Sequence, residues 1–337
     1  DDSFGGNPIG NIMIDHCSCS WGLDENISFY RHMYDPGEGY NKEKLPTVNV
    51  TIQNTISSQA LDTYNHAFGS TLGGENCAFV RNLWASNAGR NPSVGWFGIF
   101  NFVNNVVYNW VHRSVDGGDY RAMFNMVNNY YKPGPATPSG THYFFNQSLQ
   151  RDGATSLGPS KWHFSGNIME GDDAVTADNW KGFKNSTSYS IDDIKVDTII
   201  QTSGDHDHQK YHYDWDTYTY KNYETAAEAY ESVLAAVGAW PRDLIDTRIV
   251  KSVREGLAPY GNHGIIDLPS QAEGPLAYDT FDRVVDSDGD GMDDAWELAN
   301  GLSPADPADG NSLTELGYTA LEVYLNSLVG ENIKHDF

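Results

Sequence analysis

Apolar and polar residues alternate with period two in short runs along the first half of the chain. The runs are TVNVTIQNTI (47–56), NCAFVRNLWA (76–85), IFNFVNNVVYNW (99–110), AMFNMVNNYY (122–131) and KWHFSGNIME (161–170). Such alternation predicts strands with one face buried. Most runs end near an asparagine. Asn54, Asn82, Asn105 and Asn129 are spaced by 28, 23 and 24 residues, and Asn167 follows after 38, one longer excursion. A strand repeat of roughly 20–30 residues with no helix between its units predicts a parallel β-helix, one coil per repeat. The asparagines then lie above one another at a bend, where their amides can hydrogen-bond along the stack. A β-sandwich with Asn-rich turns is the alternative. Hairpin dipeptides such as Asn-Gly are absent between these runs, which counts against it.

The texture changes near residue 223. YETAAEAYESVLAAVGAW (223–240) carries apolar residues at helical spacing and predicts a helix, near 223–238, lying across the solenoid. GYTALEVYLNSLV (317–329) predicts a terminal helix. A boundary near residue 280 divides a β-helix of residues 1–280 from a C-terminal extension, 281–337, that holds an acidic loop and the terminal helix. The His-, Asp- and Tyr-rich stretch SGDHDHQKYHYDWDTYTY (203–220) matches no familiar metal spacing and reads as a solvated loop.

The 337 residues carry 21 Lys and Arg against 46 Asp and Glu, a net charge of -25. This balance argues against nucleic-acid and anionic-membrane partners, which an acidic surface repels. The three cysteines, Cys17, Cys19 and Cys77, read as free thiols in a core, so disulfides are not the main support. No apolar run is long enough for a transmembrane helix. The opening DDSFGGNP has no signal-peptide features, and the chain reads as a mature or truncated product.

Residues 286–297, DSDGDGMDDAWE, fit D-x-D-x-D-G-x5-E without a mismatch. Asp286, Asp288 and Asp290 supply side-chain oxygens. Gly291 permits the sharp turn, Met292 offers its carbonyl, Asp294 acts directly or through water, and Glu297 closes the shell bidentately. Acids packed this densely repel one another unless a hard cation sits among them. A shell filled by protein leaves no position for substrate, so this loop reads as a structural calcium clamp rather than a catalytic centre or a sensor.

A second set of motifs carries a resemblance. DHCS (15–18), SWGLDEN (20–26), NHAFGSTLGG (65–74), GRNP (89–92), VNNVVYNW (103–110), NNYYKPGP (128–135), GNIMEG (166–171), DNWKG (178–182) and WPRDLIDTRIV (240–250) occur in this order. Together with the terminal GYTALEVYLNSLV, they span nearly the whole chain. In order and spacing the chain resembles polysaccharide lyase family one, the pectate lyases, of the secreted bacterial, Bacteroidetes-like type. The resemblance implies a right-handed parallel β-helix. It also implies N-terminal coils ahead of the DHCS segment that this chain does not carry.

The resemblance further implies calcium-dependent β-elimination on a polyuronate, most of all pectate. A base removes the C-5 proton beside the uronate carboxylate, and the C-4 glycosidic oxygen leaves. By motif, Arg90 is the base, and an alkaline optimum follows. Asp2, Asp24 and Glu25 are the implied ligands of a catalytic calcium. Asp15 and His16 buttress the core beside them, and His66, Trp96 and Arg121 are implied substrate contacts. Many members carry a further basic residue after R-x-P, where this chain has Ser93 and Gly95; Arg81, Arg113 and Arg121 are the cations that neighbouring coils could offer instead. Trp84, Trp96 and Trp110 are candidate platforms for sugar rings. A monomer acting outside the cell is expected. Two other readings stay open: an inverting glycoside hydrolase on the same architecture, and a non-catalytic β-helical carbohydrate-binding protein.

Overall fold

A computed structural model describes residues 1–30, 33–34, 37–39, 43–44, 47–95, 98–118, 122–148, 159–200, 224–278 and 284–330. The chain forms two compact units, Asp1–Pro275 and Leu276–Phe337.

The first unit is a right-handed parallel β-helix. Three parallel sheets run along it. One comprises Gly10–Asp15, Val48–Gln53, Cys77–Val80, Ile99–Val103, Met123–Val127 and Lys161–Ser165. The second comprises Ser18–Ser20, Ile56–Ser58, Leu83–Ala85, Val106–Tyr108, Tyr130–Lys132 and Ile168–Met169. The third has seven strands: Phe4–Gly6, Glu25–Phe29, Phe68–Gly73, Ser93–Gly95, Val115–Gly117, Phe145–Gln147 and Phe183–Asn185. Each coil contributes one strand to each sheet.

Period-two alternation turns every second side chain of the first sheet inward, and parallel register then stacks like on like. Cys77, Phe100, Phe124 and Trp162 form one inward column, and Phe79, Phe102, Met126 and Phe164 a second. All eight are buried, and the Phe124 and Trp162 rings stack at 3.8 Å. The same interior takes Trp84 and Trp110. Their indoles donate to Ser70 Oγ at 2.9 Å and to the Thr141 carbonyl at 3.0 Å. At 1% and 0% exposure neither can present a face to a sugar. Cys19 and Cys77 are buried and Cys17 half-buried, all three as free thiols.

The bend between the first two sheets carries the asparagine stack. Asn105 Oδ1 accepts from the backbone N–H of Asn82 at 2.9 Å, Asn129 Oδ1 from that of Asn105 at 2.9 Å, and Asn167 Oδ1 from that of Asn129 at 3.0 Å. Asn179 caps the end of the row by accepting from Asn167 N at 2.8 Å. Asn54 is one residue out of register. Each bend uses two residues, one with left-handed backbone and then the ladder residue. Asn54 (φ 47°), Asn104 (φ 55°) and Asn128 (φ 53°) occupy the left-handed position, and Thr55 N donates to Asn82 Oδ1 at 3.0 Å. Asparagine suits both positions, because it tolerates left-handed backbone as well as supplying the amide.

The helix expected near 223–238 is Ala226–Ala236, started by a Thr225–Glu228 capping box. It is joined to the solenoid by Asn104 Nδ2 and Asn128 Nδ2, which donate to the Glu224 carbonyl at 2.7 and 2.8 Å. A second helix, Leu244–Glu255, begins at the Asp243 N-cap and ends at Gly256, whose φ of 68° suits a residue without Cβ. In the second unit, helices Asp294–Ala299 and Ala320–Leu328 close over a small core of Met292, Ala320 and Tyr324, with Trp296, Leu302 and Leu321 against it. Among the described residues no helix is long and apolar enough to cross a membrane.

Candidate functional site

One corner of the β-helix collects the residues singled out by motif. Asp2 precedes the strand Phe4–Gly6, Asp24 and Glu25 open Glu25–Phe29, His66 stands just before Phe68–Gly73, and Arg90 just before Ser93–Gly95. These strands are neighbours in one sheet, so residues up to 65 positions apart in sequence meet at its N-terminal rim.

Arg90 is fixed by its backbone. It is left-handed, φ 52°, an uncommon state for a residue with a Cβ and one that re-aims the side chain. Its carbonyl accepts from Ser70 N at 2.8 Å, and the following Asn91 donates its N–H to the Ser114 carbonyl at 2.8 Å. From there the guanidinium lies over the Phe68 ring, 4.4 Å from the centroid, and pairs with Glu25. Arg90 Nε is buried with no acceptor.

Glu25 is 3% exposed. Thr71 Oγ1 donates to one carboxylate oxygen at 2.7 Å and Ser28 Oγ to the other at 3.3 Å. Its backbone N–H donates to Asp2 Oδ1 at 3.0 Å. Asp24 Oδ1 lies 2.5 Å from His66 Nε2. Asp24, Glu25 and His66 each offer a ligand atom within 4.8 Å of the other two. Burial, followed by the negative charges of Glu25 and Asp24, pushes the Asp2 carboxyl above its usual range, although the Glu25 N–H opposes this. The same environment, burial first and then Glu25, Asp2 and Asp24, raises Tyr30. The carboxylates of Asp2, Asp24 and Glu25 thus lie close together at this rim, an arrangement that a bound cation would stabilise.

Asp15 and His16, expected to buttress the core beside these residues, instead stand at the bend between the first two sheets, where they pair at 2.8 Å. Asp15 also accepts from Asn54 Nδ2 at 2.9 Å, and although burial acts the other way, its carboxyl is held below the usual range by these hydrogen bonds. Arg81 is turned to Glu224 at 3.0 Å. Trp96, Arg121 and the stretch 203–220 lie outside the described residues.

Of the three cations that neighbouring coils could offer, Arg113 is the one that, among the described residues, is brought to this rim. It follows Arg90 by 23 residues, one coil, and stands just before the strand Val115–Gly117. Its guanidinium lies 5.1 Å from the centroid of the same Phe68 ring and pairs with Asp116. Two guanidiniums thus share one aromatic ring on adjacent coils, and the coil spacing was the available signal.

In the second unit the loop 286–297 turns its acids inward. Asp286, Asp288 and Asp290 offer ligand atoms within 4.8 Å of one another, and Asp290, Glu297 and Asp309 do the same. Gly291 turns the chain at φ 98°. Asp286 accepts from the N–H groups of Gly289 and Gly291 at 2.8 and 3.1 Å, and Met292 N donates to Asp290 Oδ1 at 2.9 Å. Asp288 Oδ2, Asp290 Oδ2, Asp309 Oδ1 and both Glu297 oxygens are buried with no donor. Burial, then Asp288, Asp290 and Asp309, pushes Glu297 up to about 7. Asp294 faces elsewhere: its two oxygens accept from Ser287 N at 2.8 Å and Ser287 Oγ at 2.6 Å.

The chain is 32% identical over 342 residues to a probable pectate lyase C of Aspergillus terreus and 31% identical over 331 residues to one of Aspergillus fumigatus. Each match covers 95% of this chain and 66% of the relative, so the chain spans about two thirds of the length of these relatives. A solved pectate lyase structure, described for its substrate specificity and anti β-elimination mechanism, aligns with 72% of this chain and 54% of that one at 14% identity and a TM-score of 0.45. No family model matches. From its similarity over nearly its whole length to curated pectate lyases, the chain belongs to the pectate lyase family.

Proposed function

We propose that this chain is a calcium-dependent lyase that cleaves a polyuronate, pectate first among them, by β-elimination, and that it acts outside the cell as a monomer. The observation that carries the proposal is the meeting of Arg90 with Glu25, beside Asp24 and His66, at one rim of the β-helix of a pectate lyase relative. The carboxylates of Asp2, Asp24 and Glu25 are hard oxygen donors of the kind calcium takes, and the close approach of Asp24 to Glu25 suits such an ion. When bound, the cation neutralises the uronate carboxylate and makes the adjacent C-5 proton easier to remove.

The chain's own residues do the rest. Arg90 Nη accepts the C-5 proton when the guanidinium is neutral. Arginine is ordinarily charged to above about pH 12, so the step is favoured at alkaline pH and by positive charge nearby. Arg113 supplies such charge from the next coil and is placed to bind a uronate carboxylate. In that role it stands in for the basic residue that Ser93 and Gly95 do not provide. His66 holds Asp24 and contacts substrate; Trp96 and Arg121 remain substrate-contact candidates on motif grounds alone. Asp286, Asp288, Asp290, Glu297 and the Met292 carbonyl hold a second, structural calcium.

An inverting hydrolase is less well supported. It needs two carboxyl groups separated by roughly 6.5–9.5 Å, whereas Asp24 and Glu25 offer atoms within 4.8 Å of each other. The deciding experiment is incubation with polygalacturonate at alkaline pH, with calcium and then with a chelator. The lyase reading expects ultraviolet absorbance from unsaturated uronides that chelation abolishes. New reducing ends without absorbance indicate hydrolysis instead, and binding without turnover indicates a carbohydrate-binding protein.

A further inference from the structure

Asp309 lies twelve residues beyond the last position of the acidic loop, in the turn that follows SPADP. Nevertheless it shares the loop's interior. One of its oxygens is within 4.8 Å of ligand atoms of Asp290 and Glu297, and Oδ1 is buried with no donor. Its other oxygen, Oδ2, accepts from Ser303 N at 2.7 Å, which pins the carboxylate in place. The neighbouring Gly310 is packed so closely that a Cβ there would lie 2.7 Å from Asp290 Oδ2. Opposite stands Glu297, 0% exposed, with both oxygens unpartnered. A wholly buried carboxylate facing three others is not stable as an ion without a counter-charge. The motif position expected to act directly or through water, Asp294, is occupied with Ser287.

We propose that Asp309, not Asp294, completes this cation site, so that one calcium ion cross-links the loop 286–297 to the turn 303–312. The donors are all oxygens, with no nitrogen or sulfur among them, and carboxylates predominate; that set selects calcium over the softer transition metals. The cation thereby joins two segments whose own hydrogen bonds are local. Calcium is then needed for the fold of the second unit rather than for chemistry. This inference rests on reading 286–297 as a calcium loop.

The test is hydrogen exchange read by mass spectrometry on the full chain, stripped of metal and titrated with calcium chloride, following peptides from 284–330. These local amides report the second unit whatever happens at the first. Wild type is expected to gain protection in 286–297 and 303–312 at the same calcium concentration. Asp309→Asn is expected to need about tenfold more calcium or beyond, while Asp294→Asn stays within about threefold of wild type. Without metal, Asp309→Asn should exchange more slowly than wild type, because it removes one of the crowded charges yet keeps an acceptor for Ser303. That reversal of sign separates a ligand from a merely structural residue. An Asp309→Asn variant that responds at the wild-type concentration, or that exchanges faster than wild type without metal, overturns the inference. Failure of the underlying reading looks different: Glu297→Gln would then respond to calcium as wild type does, or wild type would show no response in 286–297.

Discussion

Replacing Asn105 by alanine removes one rung of the amide stack and tests how the coils are held. The side chain is 0% exposed and makes four hydrogen bonds. Its Oδ1 accepts from Asn82 N at 2.9 Å and from Asn82 Nδ2 at 3.1 Å, and its Nδ2 donates to the Phe79 carbonyl at 2.8 Å and to Asn129 Oδ1 at 3.1 Å. Two partners keep a bond after the change: Asn82 Nδ2 still donates to Ile52 O, and Asn129 Oδ1 still accepts from Asn105 N. The Asn82 N–H loses its acceptor in the interior, a cost of about 1–3 kcal/mol. Loss of the Phe79 contact adds about 0.5–1.5 kcal/mol. The sum, about 1.5–4.5 kcal/mol, is a large part of the stability of an ordinary domain. Urea unfolding followed by tryptophan fluorescence measures it, since Trp84, Trp110 and Trp162 are all buried in this unit. Asn146→Ala is the control. That side chain is half-buried and accepts one bond, from Ser186 Oγ, so its change should stay within about 0.5 kcal/mol. A loss at Asn105 no larger than the control's would refute the ladder as a source of stability.

Other outcomes follow from the same geometry. Glu25→Gln should lower calcium affinity in the activity assay by about tenfold or more, because it removes one of the proposed ligands. It should also release Arg90 from its ion partner; unchanged calcium dependence would place the cation elsewhere. Arg113→Ala should raise KM for polygalacturonate by about tenfold, with kcat less affected, if its role is to bind a uronate carboxylate; a fall in kcat alone would contradict that. Asp246 is buried beneath Gly238, accepts from Ser18 Oγ, and has its carboxyl pushed up by burial. A folded-state value above the unfolded one means that stability is full at low pH and is lost as pH rises through the folded value. Asp246→Asn should therefore match wild type near pH 4 and become the more stable of the two as pH rises toward neutrality, in thermal unfolding across pH; a constant difference would show that the charge is not the cause.

Much of this architecture is written in short-range pattern. A coil buries every second residue, so period two marks the strands, and a coil length of 23–24 residues repeats the bend residue at Asn82, Asn105 and Asn129, with Asn167 after one longer coil. The misplacement of Asn54 arose because both residues of the bend favour asparagine, so spacing alone cannot say which one is in the stack. The helix Leu244–Glu255 is marked in sequence only by its ends, Asp243 and Gly256. Asp24, Glu25 and Arg90 could be named by motif. The Phe68 ring between two arginines could not, because it depends on register across three coils. Asp309 is illegible for a related reason: the twelve-residue motif counts ligands along the chain, whereas the fold brings this carboxylate to the loop from a later turn.

The most direct measurement is the rate of unsaturated uronide formation by Arg90→Lys on polygalacturonate at alkaline pH with saturating calcium, alongside its melting curve. The account predicts that absorbance falls by about a thousandfold or more, in keeping with loss of a general base, while the melting temperature moves little. A folded variant that keeps its rate would contradict the assignment of proton abstraction to this arginine.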